Sequence, residues 1–318
     1  ACRHLLGGAA AFRHRAQAHA TVRGSARMTP QDFDYLRQLL RERSGLMLAA
    51  EKQYLAESRL LPVARRHELK TLAELIAALR AQPSAPLCAE VVEAMTTNET
   101  FFFRDKMPFE HFRQTIMPAL TERRTREKRI RIWCAAASTG QEPYSLAMAL
   151  REMALTHPTL GQYRIEILAT DLSGEVLERA RSGIYTQFEV QRGLPIQLLL
   201  KYFKQTGDSW QIAPDIRAMV QLRPLNLLND FSPLGRFDLV FCRNVLIYFD
   251  QPTKIGVFNR IHRHIPDDGF LVLGAAETVV GLTDAFKPVP DRRGLYAPNP
   301  AARPGLSGSI TKIAGLQR

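Results

Sequence analysis

Residues 129–150, RIRIWCAAASTGQEPYSLAMAL, constrain this chain more than any other stretch. Ile130, Ile132, Trp133 and Cys134 form a short apolar, β-prone run. Residues 135–140 then carry almost no side-chain bulk, so a ligand can approach the backbone closely. A helix follows, opening at Pro143, whose missing N–H suits a first helical turn because that donor has no partner there anyway. Strand, small-residue turn and helix in this order make the first βα unit of a nucleotide-binding α/β sheet. Glu142 stands at the helix start. A helix N-terminus usually recruits phosphate, so an acid there argues for a ligand with cationic character. S-adenosylmethionine, with its amino group and sulfonium, is such a ligand.

Further strands continue the pattern. RIEILATD, residues 164–171, ends in Asp171, about 30 residues beyond the first turn, where nucleotide-binding sheets place an acid for the ribose hydroxyls. A helix is expected over 173–181, with Ser173 as N-cap and Glu175 in its first turn. Residues 218–225 predict a strand ending at Asn226, and GRFDLVFCRN, residues 235–244, is the clearest strand of all. GFLVLGA at 269–275 and a hairpin over 286–296 follow. Five strands separated by helices predict a parallel sheet with Gly140, Glu142, Asp171, Asn226, Arg243 and Asn244 on one rim, where ligands bind. Residues 183–224 read as an insertion. It holds a helix at 194–202 and a turn at 206–209 between strand-like runs 202–205 and 210–213. There is no GxGxxG and no GxxxxGK[ST], which counts against dinucleotides and nucleoside triphosphates.

Ahead of this sheet, residues 31–95 have helical apolar spacing: Phe33, Leu36, Leu39, Leu40; Leu55, Leu60, Leu61, Ala64; Leu72, Leu75, Ile76, Leu79; Leu87, Val91, Val92, Met95. Thr29 and Pro30 start the first helix, and Gly45 and residues 82–86 punctuate. A small helical domain results. Its second helix carries a basic set, Arg59, Arg65, Arg66 and Lys70, which is either a solvated face or a docking surface for an acidic helix. MTTNETFFFRDKM, residues 95–107, mixes hydroxyls, an amide, three phenylalanines and an arginine. Such a cluster is expected to pack over something, as a structural plug or as part of a site. A helix at 108–126 leads into the first strand.

The chain has 318 residues, 46% of them hydrophobic, in the range of a globular protein of one large or two ordinary domains. No apolar run approaches the roughly 20 residues that span a bilayer. Cys2, Cys88, Cys134 and Cys242 form no CxxC pair and have no His at metal spacing, so no metal site or disulfide framework is signalled. The net charge of +12 admits nucleic acid or an acidic protein as partner. Arg3, Arg13, Arg15, Arg23 and Arg27 lie in residues 1–27, which contain no acid and read as an extension that does not fold with the core. Residues 299–318, with Pro, Gly and Ser, read as a loose tail.

In combination, TTNETFFFR (96–104), AAASTGQEPYS (135–145), ATDLS (169–173), LERARSGIY (177–185), NLL (226–228) and FDLVFCRNVLIYF (237–249) resemble the CheR family, the chemotaxis-receptor glutamate O-methyltransferases. The resemblance runs from about Met28 to Pro298. It implies an N-terminal helical receptor-docking domain (28–95) and a Rossmann-like S-adenosylmethionine-dependent methyltransferase domain (96–298) with a small antiparallel β insertion (183–217). By resemblance, the cofactor contacts fall on Asn98, Thr100, Arg104, Glu142, Asp171, Asn226, Leu227, Arg243 and Asn244. Arg104 and Tyr248 match the positions beside the transferred methyl, and no metal is implied. The implied product is S-adenosylhomocysteine and the implied partners are the cytoplasmic methylation helices of chemoreceptors. Nucleic acid and membrane insertion are not expected. A cytoplasmic monomer recruited to membrane-bound receptor arrays is. Two departures stand out. The family's Glu-Glu before Pro-Tyr-Ser is Gln141-Glu142 here, and the insertion's turn lacks the longer glycine-rich loop of members that dock a receptor's C-terminal pentapeptide. Pentapeptide independence is therefore expected. The rival readings are a nucleic-acid methyltransferase, for which the Pro-Pro run after the fourth strand is missing, and a catalytically silent cofactor-binding scaffold.

Overall fold

The structure, a computed structural model, describes residues 28–82 and 86–302. The expected extension over 1–27 and the tail beyond 302 lie outside the described residues. The chain divides between Thr97 and Asn98 into two compact units.

The N-terminal unit is helical. Helix α1 (Pro30–Ser44) is capped by Thr29, whose hydroxyl accepts the Asp32 N–H at 3.1 Å. It ends at Gly45, where φ is 78° and the N–H reaches back to the Arg41 carbonyl. Helix α2 (Gln53–Arg66) touches both α3 (Leu72–Ala81) and α4 (Pro86–Met95). Leu36, Leu40, Leu60, Leu72, Leu75, Leu79 and Val91 are fully buried between them. These are the positions that the helical spacing marks, since three- and four-residue steps put apolar side chains on one face.

The C-terminal unit opens with α5 (Met107–His111), which continues through a π turn at Phe112–Ile116 into α6 (Met117–Arg123). Pro118 cannot donate to the preceding turn, and the wider π turn lies just ahead of it. The helix stops short of the expected residue 126, and Arg124 leaves it to pair with Asp238 and Asp268, each at 2.7 Å.

The central sheet contains β1 (Arg129–Ala135), β2 (Arg164–Asp171), β6 (Val220–Pro224), β7 (Leu239–Cys242), β8 (Phe270–Leu273), β9 (Phe286–Pro288) and β10 (Leu295–Pro298). Their order is β6-β2-β1-β7-β8-β10-β9. The five strands from β6 to β8 are parallel, and β10 pairs antiparallel with β8 and β9. Helix α7 (Gln141–Thr156) follows β1, α8 (Gly174–Ser182) follows β2, and α12 (Gln251–His264) precedes β8. Along β1, Ile132 and Cys134 enter one core, while Trp133 and Ala135 enter the other with Phe231, Phe237 and Phe258. Both faces are covered over the second half of the strand, which is why residues 132–135 read as a continuous apolar run. Burial pushes the Cys134 and Cys242 thiols well up, so neither is a reactive thiolate.

The insertion is a three-stranded antiparallel sheet in the order β3-β5-β4, formed by β3 (Ile184–Thr186), β4 (Phe203–Thr206) and β5 (Ser209–Ile212). Helices α9 (Gln187–Gln191), α10 (Ile196–Tyr202) and α11 (Pro214–Arg217) accompany it. Strand β3 carries no sequence signal, since three residues are too few to show alternation. Strand β7 is shorter than the expected 235–244 at both ends: it begins at Leu239, and beyond Cys242 the chain turns left-handed at Asn244 (φ 58°). At the far end, the Asn299 N–H donates to Ala285 O and its side chain to Asp284 O, both at 2.8 Å. A 3₁₀ turn at Pro300–Ala302 follows, so ordered structure passes the expected boundary at 298.

Candidate active site

The turn between β1 and α7 is held by its neighbours. Ala136, Ser138 and Gly140 all adopt positive φ (61°, 51° and 93°), which costs the first two backbone strain. The Ser138 N–H donates to Asp171 Oδ2 at 2.8 Å, and the Ser173 N–H donates to Oδ1 at 3.0 Å. The Ser138 hydroxyl donates to the Asn98 carbonyl at 2.7 Å. Asn98, the first turn and Asp171, widely separated in sequence, are thereby one assembly. A Cβ on Gly140 would lie 2.9 Å from the Tyr144 ring and 3.0 Å from Ala180 Cβ, so only glycine fits. The Tyr144 hydroxyl donates to Ala180 O at 2.7 Å, and burial pushes its pKa up to about 12. Gln141, not Pro143, opens the helix. Its buried Oε1 accepts the Thr139 hydroxyl at 2.7 Å, so this neutral residue belongs to the turn's own framework.

Glu142 lies in the first turn of α7 against Arg243. Arg243 Nη1 donates to Glu142 Oε2 at 2.7 Å, while Nη2 donates to the Arg104 carbonyl at 2.9 Å and to Asp105 Oδ2 at 2.8 Å. Only 1% of the Arg243 side chain is exposed. It therefore stands behind the rim as a brace rather than on it. Burial raises the Glu142 pKa despite the opposing pull of Arg243.

A second acid, Glu277, shapes the loop after β7. Its Oε2 accepts the Asn244 N–H at 2.7 Å and the Gly274 N–H at 2.8 Å, and its Oε1 accepts those of Val245 at 3.0 Å and Leu246 at 2.8 Å. Four backbone donors on one carboxylate fix the left-handed bend at Asn244 and the 3₁₀ turn Leu246–Tyr248, which presents a half-buried Tyr248. Nothing local in the sequence marks Glu277, because its partners come from two strand ends. Asn226 Oδ1 accepts the Leu228 N–H at 2.9 Å, and Arg260 donates to the carbonyl of buried Leu227 at 2.7 Å.

The phenylalanine-rich segment packs within this same unit. Phe102 is fully buried, edge-on to Tyr185 at 5.0 Å and Phe203 at 5.5 Å. The Phe103 N–H donates to Ser145 Oγ at 3.0 Å. Phe103, Asp105 and Lys106 adopt positive φ, so the backbone around Arg104 is strained. Thr100 and Arg104 are half-buried, and Arg104 Nη1 donates to the Glu99 carbonyl at 2.8 Å.

In the helical unit, the expected docking set splits. Arg59 donates to the carbonyls of Met95 and Thr96, at 2.9 and 2.8 Å, so its charge secures the end of α4. Arg66 and His67 share Glu90. Arg65 and Lys70 are exposed.

An acid on a helix start, a second acid at the end of β2 and asparagines along the same rim are a set of polar groups, the carboxylates accepting, suited to a nucleoside with a cationic end. Glu142 fits S-adenosylmethionine on its own evidence. It is held in place through Oε2, its Oε1 takes no hydrogen bond among the described residues, and its raised pKa means that the folded protein undercompensates its charge. Among the described residues, no cluster of three or more His, Cys, Asp or Glu is placed to hold a metal ion. The mostly parallel sheet and the polar groups along its rim define an α/β methyltransferase.

Similarity to known proteins narrows this class. The CheR methyltransferase SAM-binding domain matches residues 98–295, and the CheR all-alpha domain matches residues 31–96. The chain belongs to the CheR methyltransferase family, with S-adenosylmethionine as its cofactor. It is 42% identical over 261 residues to chemotaxis protein methyltransferase Cher2 of Pseudomonas putida, covering 81% of this chain and 94% of that one. Chemotaxis protein methyltransferase 1 of Pseudomonas aeruginosa is 43% identical over the same shares. Its Vibrio cholerae counterpart is 37% identical over 82% of this chain and 94% of its own. A solved glycopeptide N-methyltransferase, MtfA with S-adenosylmethionine, aligns over 64% of this chain and 72% of that chain, at 16% identity and a TM-score of 0.32.

Proposed function

We propose that this methyltransferase esterifies glutamate side chains on the cytoplasmic methylation helices of chemoreceptors, giving glutamate methyl esters and S-adenosylhomocysteine in sensory adaptation. One observation carries the reading: the single buried side chain of Arg243 holds both Glu142 and the backbone of Arg104. The acid suited to a cationic cofactor and the arginine suited to an anionic acceptor are thus locked to one another.

When bound, S-adenosylmethionine supplies an electrophilic methyl group on sulfur. The protein's residues have mainly to place the acceptor. A glutamate with an ordinary pKa of about 4.3 is already an anionic nucleophile at neutral pH, so no general base is required. Arg104 orients the acceptor carboxylate by a charge-assisted hydrogen bond. Too strong a grip would lower nucleophilicity, so its role is placement, and placement of this kind supplies roughly 7–11 kcal/mol in favourable cases. Tyr248, on the 3₁₀ turn that follows β7, fixes the cofactor or the acceptor beside the transferred methyl. Glu142 receives the cationic end of the cofactor and Asp171 the ribose, with Asn98, Thr100, Asn226, Leu227 and Asn244 completing the pocket. The protein works as a cytoplasmic monomer recruited to receptor arrays. No helix among the described residues is long and apolar enough to cross a membrane.

The test is labelled cofactor with the purified protein and a receptor cytoplasmic domain. Base-labile label on glutamate is expected, with a loss of about a hundredfold in Arg104→Ala. Label that resists base, or label that enters nucleic acid, would overturn the proposal.

A further inference from the structure

A second arginine shares the surroundings of Arg104. Arg192 lies in the loop between α9 and α10, and the next residue, Gly193, has a φ of +83°. A Cβ on Gly193 would sit 2.1 Å from the Phe102 carbonyl oxygen, so this loop rests backbone to backbone on the phenylalanine-rich segment. With the Phe102 ring buried beneath, the position of Arg192 relative to Arg104 is set without help from side-chain charges. The Arg192 guanidinium lies 4.4 Å from the Phe101 ring centre, and that of Arg104 lies 5.5 Å from the same ring.

Glu99 is held by both arginines. Its carboxylate accepts from Arg192 Nη2 at 2.7 Å, and its carbonyl accepts from Arg104 Nη1 at 2.8 Å. The Arg192 hydrogen bond above all, and the charge of Arg104 in addition, hold the Glu99 carboxyl below its ordinary pKa. Yet the pair is open, with 57% of the Glu99 side chain and 41% of the Arg192 side chain exposed. An open ion pair adds little to stability and exchanges readily. Since the loop is already fixed by backbone contact, this pair is not needed as a brace. It is a glutamate carboxylate resting on a preformed arginine next to the residue that places the acceptor.

We infer that Arg192 is a specificity-determining residue that binds a second carboxylate of the acidic substrate helix, and that Glu99 occupies this position as an internal stand-in until substrate displaces it. The inference rests on the proposed glutamate methylation. Its substrate is a helix carrying a second acid on the same face as the methyl-accepting glutamate.

The test is steady-state methylation of a receptor cytoplasmic domain by the full chain at saturating cofactor and low salt, in wild type, Arg192→Gln, Glu99→Gln and the double variant. Arg192→Gln is expected to raise KM for the receptor about tenfold, the low end for a hydrogen bond to a charged group, with little change in kcat or in cofactor Kd. Glu99→Gln is expected to lower KM, and to have no effect once Arg192 is replaced. If Glu99→Gln raises KM and lowers the thermal midpoint together with Arg192→Gln, the pair is a structural brace and the inference fails. Wild-type turnover with unmoved KM values in the variants overturns this inference alone. Wild type that forms no glutamyl ester overturns the substrate reading as well.

Discussion

Glu142 is under tension between burial and Arg243, and burial prevails: the carboxyl pKa is raised. A group whose folded pKa exceeds its unfolded value contributes stability that is fully present below the unfolded pKa and is lost as pH rises through the folded one. At neutral pH the ionised acid therefore costs the empty protein stability, and a cationic ligand offsets that cost. Glu142→Gln keeps an oxygen for Arg243 Nη1, so the thermal midpoint of the empty protein is expected to stay within a few degrees of wild type. Cofactor affinity measured by calorimetry should fall about 10- to 100-fold, the scale of a hydrogen bond to a charged group. In wild type, affinity should weaken as pH falls through the raised pKa. A variant that melts much earlier yet binds cofactor normally would show that the acid is there for the fold. The acid was legible in the sequence because it stands at a helix start. The direction of its partner was not: Arg243 reads as a polar residue at a strand end, and only packing shows that it points inward.

Among the elements, the inserted sheet carries the sharpest expectation. Strands β4 and β5 are joined across Gly207 and Asp208, with Gly207 at a φ of 59°, a turn with no length to spare. A receptor pentapeptide is therefore expected neither to bind tightly nor to slow methylation. Fluorescence titration of a labelled pentapeptide, with receptor methylation as competition readout, checks this, and tight competitive binding would refute it. The turn was visible in the sequence as Thr-Gly-Asp-Ser between two short strand-like runs. Strand β3 was not, because three residues cannot show a period. Helix starts capped by a hydroxyl were read from the sequence at Thr29 and Ser173, but not at Thr186, which caps the unexpected short helix α9. The opening of α7 was not, because Gly140 supplies no side-chain cap there.

At the scale of the whole molecule, the net charge of +12 is the quantity to explain. Under the proposed function an acidic receptor helix would meet exposed basic side chains, and Arg65 and Lys70 are two of these in the helical unit. Receptor KM should rise in Arg65→Ala with Lys70→Ala at low salt, and the difference should shrink by 0.15 M, where charges beyond about 8 Å are screened. An unchanged KM at low salt would remove this surface from the docking proposal. Arg59 is expected to behave differently. Its alanine variant should lose about 1–3 kcal/mol of stability, because the carbonyls it serves at the end of α4 would lose their donor.

The sequence by itself determined the alternation of strand and helix, the residue types along the rim, the helical character of the first unit and the family. These follow from neighbours in the chain, through periodicity, capping and turn chemistry. Tertiary structure alone decided which polar residues present themselves and which brace. Arg243 meets Glu142 across 101 positions, Glu277 gathers donors from two strand ends, and Arg192 reaches Glu99 across 93. Burial and partner geometry set the charge behaviour of such groups, and both exist only once distant segments are packed together.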